Sequence, residues 1–181
     1  MTDHGFALFE TAVGPCGVAW GPDGILGVQL PEGDAARTRA RLARRFPQAR
    51  EAEAPEPVRS AIAAIQALLA GERRELSQVA LDWTGVGSFE RRVYEVARAI
   101  RPGATLTYGE VAARLGETPL AARDVGQALG RNPFPIVVPC HRVVAAGGKS
   151  GGFSARGGAA TKLKLLRIEG AEAAGPPTLF D

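Results

Sequence analysis

The sequence predicts an α+β protein whose first half carries a small antiparallel sheet with helices and whose second half is mostly helical. Three observations predict it. Apolar residues between Phe6 and Leu30 are interrupted by the turn signal Gly21-Pro22-Asp23-Gly24. Later stretches space their apolar residues at helical intervals. Beyond the loop Thr84-Gly85-Val86-Gly87, the strand patterns give way to short capped helices.

Taken in order, Phe6, Leu8, Val18, Trp20, Ile25 and Val28 are the apolar positions of a hairpin or meander. Asp34 caps an expected helix running to about Phe46, whose Arg37, Arg39, Arg41, Arg44 and Arg45 read as a solvated face. A second helix fits Pro57 to Leu69, with Val58, Ile62, Ile65 and Leu69 on one face and Gly71 at its end. Val79 to Trp83 reads as a strand. The expected division is 1–85 for a supporting α/β domain and 86–181 for the working one.

In the second part Ser88 is the expected cap of a helix carrying Phe89, Val93, Val96 and Ile100, which Arg101-Pro102-Gly103 stops. Thr107 caps a short helix from Tyr108 to Leu115, Gly116 turns the chain, and Pro119 opens a helix reaching about Gly130. Two short helices joined through a glycine turn form a helix-turn-helix pattern, which serves DNA docking and also plain helix packing. Asn132-Pro133-Phe134-Pro135 cannot continue the helix, because proline lacks the amide donor. Ile136-Val137-Val138 then reads as a short buried strand that Pro139 ends. The tail after Gly170 is expected to be poorly ordered.

Composition narrows the function. With 45% apolar and 23% charged residues the chain is an ordinary globular protein. No apolar run approaches the roughly 20 residues of a membrane span, and the N-terminal stretch lacks the marks of a signal peptide, so cytoplasm is the expected compartment. Two cysteines 124 positions apart, Cys16 and Cys140, make no disulfide framework, and with only His4 and His141 no metal-site spacing exists. No metal and no cofactor are expected. Residues 86–181 carry 13 Lys+Arg against 8 Asp+Glu, whereas residues 1–85 carry 9 against 11. That basic second half is weak support for an anionic partner such as DNA.

The chemistry concentrates at Pro139-Cys140-His141-Arg142. A free thiol titrates near 8.5, so a nucleophilic cysteine needs a base or a positive charge nearby, and His141 and Arg142 supply both types. Neighbouring side chains in extended backbone point to opposite faces, so a direct contact between Cys140 and His141 requires a sharp turn, and otherwise a bridging water. The plainer alternative is that Cys140 is one more small buried hydrophobe.

Tyr108-Gly109-Glu110-Val111-Ala112, Ala121-Ala122-Arg123, Asn132-Pro133, Pro139-Cys140-His141-Arg142-Val143, Gly152-Phe153-Ser154, Leu165-Leu166 and Glu169-Gly170 stand in an order and spacing that resembles the O6-alkylguanine-DNA alkyltransferases. The match runs from about Ser88 to Gly170. The resemblance implies a ribonuclease H-like first domain and a winged helix-turn-helix-like second domain holding the active-site cysteine. It implies a single-turnover transferase in which Cys140 takes the alkyl group from guanine O6 in double-stranded DNA and is consumed; O4-alkylthymine stays open as a second substrate.

By the same resemblance His141 deprotonates Cys140 through a water, Glu169 polarises His141, and Asn132 braces the segment. Arg123 fills the place of the flipped base, and Tyr108 contacts and protonates it. The helix-turn-helix enters the minor groove, where Gly109, Ala121 and Ala122 permit close approach, and Val143, Phe153 and Ser154 meet the base edge. A monomer is expected. Phe153 stands where several members have tyrosine, and Ala155-Arg156 lengthens the following loop. The family's non-reactive branch replaces the cysteine with tryptophan, and Cys140 argues against it.

Two other classes compete. A non-catalytic DNA-binding or damage-sensing module would keep the fold with a structural Cys140. A cysteine hydrolase or acyltransferase would use Cys and His, but those enzymes recruit the pair from distant positions.

Overall fold

The computed structural model describes residues 3–148, 151–153 and 155–171. Within them the chain forms two compact units: residues up to 84 together with 133–137, and residues 85–132 together with those from 138 onward.

In the first unit the expected meander is present. β1 (Gly5–Thr11), β2 (Gly14–Gly21) and β3 (Gly24–Gln29) pair antiparallel in sequence order. A two-residue β4 (Arg50–Glu51) adds to β1 in parallel, giving the order β3-β2-β1-β4. Gly24 has φ +132, and a Cβ there would lie 2.6 Å from the Ala80 carbonyl oxygen, so the turn into β3 accepts only glycine. α1 (Ala35–Arg45) starts at Asp34, whose Oδ1 accepts the Arg37 N–H at 2.8 Å. Leu42 of α1 is fully buried with Phe6 and Ala19. Arg37, Arg39 and Arg41 face solvent as expected, but Arg45 turns inward. α2 (Glu56–Leu69) buries Val58, Ala61, Ala64, Ile65, Leu68 and Leu69.

The strand expected at Val79 to Trp83 reduces to one bridge, Leu81 beside Ile25. The Ile25 N–H donates to Ala80 O, and the Asp82 N–H donates to Ile25 O. Asp82 Oδ1 then accepts the Thr84 N–H at 2.9 Å and turns the chain away before a ladder extends. Ile136-Val137-Val138 is buried as expected, yet it is no strand. Ile136 takes φ +74, which makes it the one non-glycine residue at positive φ among the described residues, and the chain reverses there. Prolines at 135 and 139 offer no ladder donor on either side. Residues 133–137 belong to the first unit. The Pro133 carbonyl accepts the Val28 N–H, and Phe134 is fully buried, edge-on to Trp83 with ring centroids 5.7 Å apart.

In the second unit α3 (Ser88–Arg98) has Gly87, not Ser88, as its N-cap; Ser88 is already helical. α4 (Tyr108–Arg114) opens with a capping box: Glu110 N–H to Thr107 Oγ1 at 3.0 Å and Thr107 N–H to Glu110 Oε1 at 3.1 Å. A 3₁₀ turn, Pro119–Ala121, leads into α5 (Ala122–Gly130), so the second of the two short helices has an irregular start. The buried Tyr94 hydroxyl donates to Ala128 O at 2.6 Å and ties α3 to α5. Two short strands that the sequence does not announce, β5 (Leu106–Thr107) and β6 (Val143–Val144), pair in parallel on either side of this helical module in sequence. α6 (Ala159–Ile168) closes the described unit. The architecture is thus mixed α+β. Residues 172–181 of the tail lie outside the described residues.

Candidate active site

Cys140 opens a 3₁₀ turn, Cys140–Arg142, directly after Pro139. The backbone here is bent sharply: the Cys140 N–H donates to Val138 O at 2.7 Å and the Arg142 N–H to Pro139 O at 2.9 Å. Consecutive side chains therefore leave the turn in divergent directions instead of alternating across a strand. Cys140 faces a cavity of about 570 Å³ whose wall includes Tyr108, Ala122, Arg123, Gly126, Gly152 and Phe153. His141 and Arg142 are buried behind it.

The His141 and Glu169 side chains meet at 2.7 Å, Nε2 to Oε1. Arg142 holds the same carboxylate with two further bonds at 2.9 Å and donates to Ile100 O at 2.6 Å. Arg142 therefore serves Glu169 and not the thiol. Burial alone would raise the Glu169 carboxyl, but the bonds from His141 and Arg142 outweigh it and bring it to about 2. Burial lowers His141 below its ordinary value, against the pull of Glu169. The imidazole is then neutral near pH 7, with Nε2–H donating to the carboxylate and the Nδ1 lone pair free to accept a proton. Nδ1 is buried and has no hydrogen-bond partner among the described residues.

Burial raises the Cys140 thiol; the Asn132 side chain, the Lys162 charge and the backbone N–H groups of Cys140 and His141 pull the other way. Asn132 Nδ2 also donates to Val138 O at 2.9 Å, so one side chain braces both the turn and the sulfur. Lys162 is a residue the sequence reading missed. It is fully buried, donates to Tyr108 Oη and Gly152 O at 3.2 Å each, and lies 5.4 Å from the Tyr108 ring centroid. Desolvation lowers its amine to about 8, against the opposing pull of Cys140. Burial, with Cys140 adding, raises Tyr108. A signal existed in the sequence: Lys162, Leu165, Leu166 and Glu169 recur at helical spacing, which sets a lysine on the buried face of α6.

The fold thus brings Tyr108, Ala122, Arg123, Cys140 and Phe153 to one cavity and His141, Asn132 and Glu169 to the rear of the cysteine. Arg123 is exposed at the rim. Gly109 and Ala121 sit half-buried on α4 and the 3₁₀ turn, and Val143 is fully buried in β6; none of the three is on the cavity wall. Ser154 lies outside the described residues. Among the described residues no cluster of three or more His, Cys, Asp or Glu side chains is arranged to hold a metal ion, and no helix is long and apolar enough to cross a membrane.

The family described as 6-O-methylguanine DNA methyltransferase, DNA binding domain, matches residues 88–171. A methylated-DNA–protein-cysteine methyltransferase of Methanothermobacter thermautotrophicus is 37% identical over 154 residues, covering 85% of this chain and 78% of the relative. A Thermus thermophilus relative named DNA base-flipping protein is 42% identical over 126 residues, covering 70% and 82%. Among solved structures, Mycobacterium tuberculosis O6-methylguanine methyltransferase superposes with TM-score 0.73 at 32% identity over 98% of this chain and 99% of that one. The Mycobacterium tuberculosis OGT in complex with DNA superposes with TM-score 0.71 over 93% and 96%.

Proposed function

Because this chain belongs to the methylated-DNA–protein-cysteine methyltransferase family, we propose that Cys140 is the residue on which it carries out that family's repair of alkylated DNA. The protein repairs DNA directly, by moving the alkyl group onto a cysteine of its own. The substrate is O6-alkylguanine in double-stranded DNA, flipped out of the stack at a cost of a few kcal/mol. The observation that carries the reading is the Cys140 thiol on the cavity wall, backed by a buried imidazole that Glu169 fixes in the tautomer with Nδ1 open.

In the displacement, the thiol proton passes through a water to His141 Nδ1. The sulfur attacks the alkyl carbon, a C–S bond forms as the C–O bond breaks, and the electron pair returns to the guanine, which takes a proton from Tyr108. Lys162, bonded to the Tyr108 oxygen, favours the thiolate by its charge and replaces that proton. The product thioether is stable, so each molecule acts once. Arg123, exposed at the cavity rim, fills the gap the base leaves, and Gly109, Ala121 and Ala122 let the helix-turn-helix approach a minor groove. Phe153, on the cavity wall, contacts the base.

On the same reading the second unit, residues 85–132 together with those from 138 onward, is a winged helix-turn-helix-like DNA-binding and transfer domain, and the first unit, which takes in 133–137, is a ribonuclease H-like support. The chain works as a monomer, and in the cytoplasm, where Cys16 and Cys140 stay reduced.

Incubating the reduced protein with O6-methylguanine duplex should add one methyl group to Cys140, seen by intact-mass and peptide mass spectrometry; O4-methylthymine duplex is tested alongside. Cys140→Ser should lose transfer and keep DNA binding. Absence of any mass gain with binding retained would favour the second reading, a flipping protein without chemistry, which the Thermus thermophilus relative's name suggests. Arg123→Ala should slow single-turnover transfer on duplex by roughly tenfold or more and leave reaction with the free alkylated base unchanged. An equal loss on both substrates would contradict its role in flipping.

A further inference from the structure

We propose that Arg45 in the first unit is a positioning residue for alkyl transfer: it clamps the 133–137 segment and so sets the geometry of the turn that carries Cys140. This rests on the assignment of Cys140 as the acceptor. Three observations within the first unit support the clamp. Arg45 is the one arginine of α1 turned to the interior. Its Nη1 donates to Val28 O at 2.7 Å and Gln29 Oε1 at 3.0 Å, its Nη2 donates to Pro133 O at 3.1 Å, and its guanidinium lies 4.9 Å from the Phe46 ring centroid. The Pro133 carbonyl is thus held twice, by Arg45 and by the Val28 N–H. Every acceptor named here is a neutral oxygen, so the planar fork acts as a geometric brace and not as half of an ion pair.

The segment it grips is strained. Ile136, a β-branched residue, is held at φ +74 and is almost fully buried, a conformation that persists only where surrounding structure over-determines it. On both sides of the segment stand residues of the transfer machinery. Asn132 precedes it and bonds Val138 O just after it, and Cys140 follows two residues later. Slack between 133 and 137 is therefore delivered to the Asn132–Val138 brace and the thiol.

The test uses the full chain with Cys16→Ser, so that Cys140 is the only thiol, and measures single-turnover transfer from free O6-benzylguanine per folded molecule. Arg45→Met and Arg45→Lys should lower the maximal rate roughly tenfold or more while leaving the half-saturating concentration unchanged. Ile65→Val, which thins the same unit's core on α2, should change neither. Arg45 also lines a cavity of about 540 Å³ beside His4, Phe46 and Asp82, which gives a small cation access to the vacated place. Guanidinium well below denaturing concentration, and not sodium chloride at equal ionic strength, should restore part of the rate of Arg45→Ala. Arg45 variants that transfer at the parent rate, or lose only as much as Ile65→Val, would overturn the clamp. A parent chain that leaves Cys140 unmodified by O6-methylguanine duplex as well would overturn the assignment of the acceptor, and the clamp with it.

Discussion

Glu169→Gln should slow alkyl transfer by a hundredfold or more and destabilise the protein by about 3–5 kcal/mol, the usual cost of leaving a buried charge without its partner. The substitution is nearly isosteric, so its effects are chemical. A glutamine has one acceptor oxygen: at the Oε2 position it accepts from Arg142 Nε while the amide nitrogen donates to His141 Nε2 and opposes Arg142 Nη2, and at the Oε1 position it keeps His141 and Nη2 while the nitrogen opposes Arg142 Nε. In the first arrangement the imidazole shifts its proton to Nδ1, the nitrogen that has to accept one from the thiol, and in the second it keeps Nδ1 open but loses the negative charge that stabilises it once protonated. Arg142, almost fully buried, meanwhile loses its only named carboxylate and keeps Ile100 O.

The two effects separate by pH. The Glu169 carboxyl sits at about 2 in the fold against an ordinary 4.5, so its stabilisation, about 3 kcal/mol, is complete above pH 4.5 and is lost as pH falls toward 2. His141, lowered from 6.5, adds acid lability in the same direction, beginning as pH drops below 6.5, where only the unfolded chain takes up that proton. Chemical denaturation from pH 7 to 3 should show a stability slope that Glu169→Gln flattens below pH 4.5. A variant that transfers at the parent rate per folded molecule would rule out the relay through Glu169.

Lys162→Met should move stability and activity in opposite directions. The amine stands at about 8 in the fold and at 10.5 in its ordinary state, so keeping it charged below pH 8 costs up to about 3 kcal/mol. That cost disappears as pH rises from about 8 to 10.5, and the parent protein should gain stability across that window while the methionine variant does not. At pH 7 the variant should be more stable by about 1–2 kcal/mol, after subtracting the bonds to Tyr108 Oη and Gly152 O. Transfer should slow on the order of a hundredfold, because the thiolate loses its nearby cation and Tyr108 loses its hydrogen-bonded amine. Thermal melts beside single-turnover rates decide this, and a variant that is less stable and equally active would refute both halves.

What the sequence made legible divides along physical lines. Helices with local signals were readable: Asp34 and Thr107 cap where their side chains reach the first turn, and α2 follows its apolar spacing. Strands that exist only because a distant partner is present were not. β4, β5 and β6 are two residues each, and nothing in Arg50–Glu51 or Leu106–Thr107 announces a partner. The apolar run at 136–138 looked like a strand because local pattern records burial and not the sign of φ. At the site, the motif around Cys140 was plain, but the division of labour was not. Arg142 reads as the thiol's cation until its guanidinium is seen on Glu169, and Lys162 goes unnoticed until the buried face of α6 is drawn.

The excursion of residues 133–137 also bears on how the protein is made. A ribosome delivers the first 84 residues with the meander and both helices complete, yet the unit they belong to still lacks Phe134, Ile136 and Val137, each with 2% exposure or less in the finished fold. Its apolar surface around Trp83 must wait, half-assembled, until some fifty more residues have left the exit tunnel. A fragment ending near residue 85 should therefore be aggregation-prone on its own, and the chain should consolidate its two units together and not one after the other.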